Sequence, residues 1–233
     1  MFKGFNNRQQ NGFPNLNFSS DKSAYNQNGC TFWLRADFGL NTQTNGGSIS
    51  SWTDSISGVA FSQSTLANQP VLRTSQASYN NLPVVDFLAA GTGTLIGPVT
   101  LFNTIAFIAN YDSIGNRNAI LSLNSTNGIF LGGTATGYNG VSIQNNGTVT
   151  SGSTESTSVK IVVISNNLIM VNGVVEASTS FNIAFGFSLL GSIVGGAGGF
   201  LGKCAEIICF EQSLNQNQAL ELSNNINTKY AIY

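Results

Sequence analysis

The stretch GKCAEIICFEQSLNQNQALELSNNINTKY (202–230) decides the fold. Its first part, KCAEIICFE (203–211), is an apolar run of strand length. Its second part opens at Asn215, a residue type whose side chain accepts hydrogen bonds from the first free backbone amides of a helix. Beyond it, Ala219, Leu222, Ile226 and Tyr230 recur at three- and four-residue spacing. That spacing predicts one short amphipathic helix, packed by a single apolar stripe on the edge of a sheet.

Working back from this unit, the pattern from Cys30 onward is short apolar runs separated by Gly, Asn and Ser clusters, the signature of a sandwich or barrel. The predicted strands are TFWLRA (31–36), SISSW (48–52), VAFSQ (59–63), PVVDFL (83–88), TIAFIANY (104–111), NAILSLN (118–124), GIFLGG (128–133), GVSIQNN (140–146), SVKIVVIS (158–165), LIMVNG (168–173), VVEAS (174–178), FNIAFGFSLLG (181–191) and KCAEIICFE. Asn-Gly pairs at 127–128, 139–140, 146–147 and 172–173 mark hairpins, because type I′ turns need positive φ at both central residues. A chain of 233 residues suits one all-β domain, and no internal repeat is present.

Only 8% of residues are charged, against about 25% in ordinary soluble proteins, and the net charge is −1. Asn, Gln, Ser and Thr must therefore supply the polar surface. Such a surface carries no electrostatic footprint for nucleic acid. It suits a protein that lives assembled or outside the cytosol. Cys30, Cys204 and Cys209 are an odd number, which argues against a disulfide framework. Odd spacing puts Cys204 and Cys209 on opposite strand faces, and buried free thiols are expected. The uncharged run 183–201 has the length of a membrane span, but its Gly-Gly pairs favour a buried strand and a glycine loop, so no membrane insertion is expected.

Residues 1–29 differ from the rest: rich in Asn and Gln, without strand or helix period, and dotted with Phe2, Phe5, Phe13 and Phe18. This reads either as an extended arm whose aromatics dock on a neighbour or as a loose terminus. The opening residues lack the apolar core of a signal peptide, so an unsecreted protein is expected.

Five blocks in order, WLRADFG (33–39), ISSWTDSISG (49–58), ANQPVL (67–72), NLPVVDF (81–87) and the closing 202–230 unit, resemble the concanavalin A-like, LamG-like domain of phage particle proteins and bacterial surface proteins. The resemblance covers roughly residues 30–233. It implies an all-β, two-sheet antiparallel jelly-roll sandwich with one short C-terminal amphipathic helix, and binding of carbohydrate or protein. The Asn-rich arm and the scarcity of charge depart from the usual member.

Histidine is absent, which removes Ser-His-Asp triads, Cys-His pairs and His-ligated metals. No strand carries the carboxylate series that a retaining glycosidase on this fold uses; Glu206 and Glu211 fall on opposite faces. Glu206 reads as structural, paired with Arg35 or Lys203. No cofactor is expected, with calcium possible only at the loop of Asp112, Asn116 and Asn118, which lacks a second carboxylate. Asp37 and Asp54 read as turn caps. The glycine loop 195–203 fails as a phosphate loop, with Ala197 and Cys204 at required positions. Trp33 and Trp52 are expected in the core. Tyr79, Tyr111 and Tyr138, beside Asn-rich turns, are the candidate sugar-stacking rings.

The expectation is a non-enzymatic structural or decoration protein of a virus particle, a phage above all. It would present its domain to surface glycans, be anchored through the arm, and contact other virion proteins and its own copies. The alternative is a secreted or cell-surface carbohydrate-binding module.

Overall fold

A computed structural model describes residues 29–87, 93–112, 118–133, 138, 140–152, 156–165, 167–177, 186–193 and 199–233. In chain order the strands are β1 (Cys30–Arg35), β2 (Ser51–Thr53), β3 (Ala60–Ser62), β4 (Val71–Gln76), β5 (Leu82–Phe87), β6 (Leu95–Thr100), β7 (Thr104–Tyr111) and β8 (Ala119–Asn124). There follow β9 (Asn127–Leu131), β10 (Val141–Asn145), β11 (Thr148–Ser151), β12 (Lys160–Ser165), β13 (Leu168–Val171), β14 (Val174–Ala177), β15 (Phe187–Leu190) and β16 (Gly202–Phe210). Helix α1 (Gln216–Tyr230) closes the chain.

The strands form two antiparallel eight-stranded sheets. The first runs β14-β13-β12-β7-β16-β5-β4, with β1 also paired to β16; the second runs β11-β10-β9-β8-β15-β6-β3-β2. This is a two-sheet sandwich with one C-terminal helix, as the sequence pattern predicts. Between the sheets lies a core that includes Phe32, Phe61, Phe102, Phe107 and Phe187. The rings of Phe32, Phe61 and Phe187 meet one another at 5.6–5.8 Å between centroids, an edge-and-tilt geometry that suits aromatic quadrupoles.

A second core lies on the other face of the first sheet, where α1 packs. Ala219, Leu222, Ile226 and Tyr230 are buried there against Trp33, Ile108, Ile161, Val163 and Ile208. Strand β12 is therefore apolar on both faces: Val162 and Ile164 face the sister sheet, Ile161 and Val163 the helix. Asn215 caps α1 by accepting from the Gln218 amide, while the Gln218 side chain accepts from the Asn215 amide.

Two hairpin markers act as predicted. Asn146-Gly147 and Asn172-Gly173 both have positive φ at each residue and join β10 to β11 and β13 to β14. Asn127-Gly128 does not: it lies inside β9, and the turn falls on Ser125-Thr126. Part of the predicted strand 181–191 and of the glycine loop lie outside the described residues, as does the arm with Phe2, Phe5, Phe13 and Phe18. No helix among the described residues is long and apolar enough to cross a membrane.

The expected placement of the two late cysteines is corrected. Cys204 and Cys209 both face the inter-sheet core. Between Cys204 and Glu206 the strand bulges, two steps on β16 matching one on β7, and the extra residue, Ala205, resets the alternation. All three cysteines are free and buried, and burial pushes the Cys30 thiol up to about 12.

Candidate functional site

The three tyrosines chosen as sugar platforms are all buried, so none offers a ring face to a ligand. Tyr111 lies in the inter-sheet core, its ring 5.1 Å from the Lys160 ammonium. Tyr138 packs edge-on to Phe130 at 4.8 Å, in a small cluster with Ala119 and Ile193. A tyrosine beside a polar turn presents its backbone to water while its ring fills the nearest apolar gap. Trp33 and Trp52 are buried as expected, their indole N–H groups donating to Glu206 and to the Arg35 carbonyl.

Tyr79 nevertheless leads to a site. Its hydroxyl donates toward Asn110 Oδ1 (2.8 Å) and the Lys203 carbonyl (2.9 Å), and burial raises its pKa well above the ordinary phenol value. This bolts down the 3₁₀ turn Ala77–Tyr79 and leaves Ser78 and Asn80 exposed on either side. Those two residues line a groove of about 410 Å³ with Ala77, Ser158, Val159, Ala231 and Ile232. The volume falls within the roughly 300–1,000 Å³ usual for small-molecule sites.

Each wall is anchored. Asn80 and Asn81 take left-handed backbone in succession, at φ 55° and 58°, and the Asn80 side chain donates to the Lys229 carbonyl at 3.0 Å. Past α1, Ala231 is also left-handed, and the tail turns back so that Ile232 and Tyr233 both donate backbone amides to Asn227 Oδ1. The third wall is held by Lys160, whose buried ammonium donates to the carbonyls of Ser156 and Ser158. Asn80 and Ala231 end the 3₁₀ turn and α1, positions where left-handed backbone commonly closes a helical turn.

The carboxylates are committed elsewhere. Glu206 is buried and accepts from Trp33 Nε1 (2.9 Å), Tyr230 OH (2.7 Å) and Lys229 Nζ. Its partner is thus Lys229, not Arg35 or Lys203. Arg35 lies over the Trp33 ring and forks onto both oxygens of Asp37 at 2.8 Å. Burial acts to raise the Asp37 pKa, but the Arg35 hydrogen bonds and the nearby Lys229 charge outweigh it, and the value is lowered. Asp54 caps its turn, accepting from the amides of Trp33, Ile56 and Ser57.

The proposed calcium loop is not assembled by the described residues. Both Asp112 oxygens are held by the Lys203 ammonium at 2.7–2.8 Å, and a cation there opposes a metal. Asn118 is buried, and Asn116 lies outside the described residues. Among the described residues no group of three or more Cys, Asp or Glu side chains is arranged to hold a metal ion.

No protein-family description matches the chain, and no curated protein matches it. Solved structures do share its fold. One is domain 4 of AbnA, an extracellular GH43 arabinanase from Geobacillus stearothermophilus, in complex with arabinotriose: TM-score 0.57, 12% identity, covering 83% of this chain and 98% of that one. An arabinofuranosidase complexed with arabinofuranosyl-α-1,2-xylobiose superposes at TM-score 0.56 and 13% identity, over 87% of this chain and 59% of its own. Trypanosoma rangeli sialidase in complex with difluoro-KDN gives 0.55 and 15%, over 86% and 33%. The chain thus spans a third of the sialidase and under two thirds of the arabinofuranosidase. The expectation of a non-enzyme is corrected by these neighbours, because all three are glycoside hydrolases or a domain of one. Missing histidines and a missing carboxylate strand do not license that exclusion. At such identities the likeness establishes the fold: a jelly-roll-like β-sandwich.

Proposed function

We propose that the chain is a carbohydrate-recognition sandwich whose ligand lies in the groove between the 77–80 turn, residues 158–159 and the tail after α1. One observation carries it. The groove is lined by two hydroxyls, an amide and four apolar side chains, with no charged side chain among its lining residues. Hydroxyls and amides exchange hydrogen bonds with sugar hydroxyls, and the aliphatic side chains meet the C–H faces of the ring. Support comes from the AbnA domain, which has this fold over almost its whole length and was solved with arabinotriose. The finer assignment to the LamG-like group rests on the five sequence blocks and belongs to the same proposal.

The test is a glycan panel run on the wild-type chain and on Ser158→Trp. Ser158 is exposed, so the indole fills the groove without disturbing the core. At least one oligosaccharide is expected to bind wild type and to lose ten-fold or more in the variant. Binding that the indole leaves unchanged, or none across the panel, contradicts the assignment.

Display on a virus particle is a second proposal, supported by the 8% charge and the aromatic-dotted arm. Deleting residues 2–29 is expected to abolish incorporation into particles while the sandwich still folds; full incorporation contradicts it.

A further inference from the structure

We propose that this groove selects uncharged saccharides and rejects acidic ones such as uronates and sialic acids; the inference rests on the glycan reading above. Two independent features set the preference. The first is that no described cation is available to a bound carboxylate. Arg35 is held by Asp37, Arg73 by Asp86, Lys203 by Asp112, and Lys229 by Glu206 and Asp37. Lys160 is buried, its ammonium given to the carbonyls of Ser156 and Ser158 behind the groove wall. A carboxylate entering the groove would lose water and gain no counter-charge from the described residues, a cost that neutral hydroxyls do not meet.

The second feature is the helix end. Ala231 and Ile232 line the groove directly after Tyr230, the last residue of α1. The C-terminus of a 15-residue helix carries a partial negative charge of about half an electron, here on last-turn carbonyls of which that of Asn227 accepts from the Ala231 amide. The Lys229 carbonyl at that end already takes a donor from Asn80, showing the direction in which donors are wanted. Sugar hydroxyls donate to such carbonyls, whereas a carboxylate is acceptor-only and is repelled by them. Among the described residues, then, the groove offers a bound anion no free counter-charge and lies beside the negative end of α1.

Arabinotriose and trigalacturonate, matched in length and opposite in charge character, separate the possibilities by calorimetric titration at low salt. Wild type is expected to bind arabinotriose at least ten-fold more tightly than trigalacturonate. Ser78→Lys, which places an ammonium on the exposed rim, is expected to narrow that ratio at low salt and to lose the effect in high salt. Trigalacturonate binding as tightly as arabinotriose, with competition between them, overturns the selectivity while leaving the glycan reading intact. If neither binds, and no other glycan of the panel does, the glycan reading falls and the selectivity with it.

Discussion

Glu206 shows how one side chain ties three elements together. From the middle of β16 it accepts hydrogen bonds from Trp33 on β1 and from Lys229 and Tyr230 on α1. Removing it leaves the indole N–H and the phenol O–H buried without an acceptor, each costing about 1–3 kcal/mol. Lys229, about a third exposed, can turn to water and adds little. Glu206→Ala is therefore expected to lower unfolding stability by about 2–4 kcal/mol, and Glu206→Gln by less than half as much, because the amide oxygen still accepts one donor. Denaturant midpoints measure both. A loss below about 0.5 kcal/mol for the alanine variant, the range of ordinary surface substitutions, contradicts the tying role.

Among the elements, α1 matters most to the groove, because its last turn and the tail behind it form one wall. Its entry is fixed by the reciprocal Asn215–Gln218 cap, so Asn215→Ala is expected to cost about 1 kcal/mol, read as a lower denaturant midpoint at unchanged slope. Helix α1 was legible in the sequence because cap and stripe are local signals. Strand β6 was not. It holds Gly97 and Pro98, residues that argue against a central strand, yet it lies between β15 and β3. The pairing skips there, with Phe187 opposite Thr100 and Leu189 opposite Ile96, so β6 spends extra residues around the proline. The Ala205 bulge misled in the same way: alternation reads true only until an extra residue resets it. The groove was legible only through Tyr79, and for the wrong reason. Its walls come from three segments far apart in the chain, and only the tertiary fold brings them together.

For the molecule as a whole, the scarcity of charge takes on a physical meaning. The salt bridges of the described residues are spent within the molecule, each cation closed on a carboxylate of the same chain. What remains at the groove is a neutral surface of hydroxyl, amide and aliphatic side chains. Holding its walls by the buried Tyr79 and Lys160 and by the half-buried Asn227 lowers the ordering cost that a weakly binding neutral ligand could not offset. The sandwich alone says nothing of ligand or chemistry, since one fold hosts many functions. The groove is what makes the glycan reading specific. The most direct measurement is backbone amide chemical-shift mapping of the full chain with the neutral oligosaccharide that binds it most tightly in the glycan panel. Perturbations are expected to concentrate at residues 77–80, 158–159 and 231–232 and to vanish in Ser158→Trp. Perturbations centred on the second sheet, or none at saturation, would contradict the glycan reading.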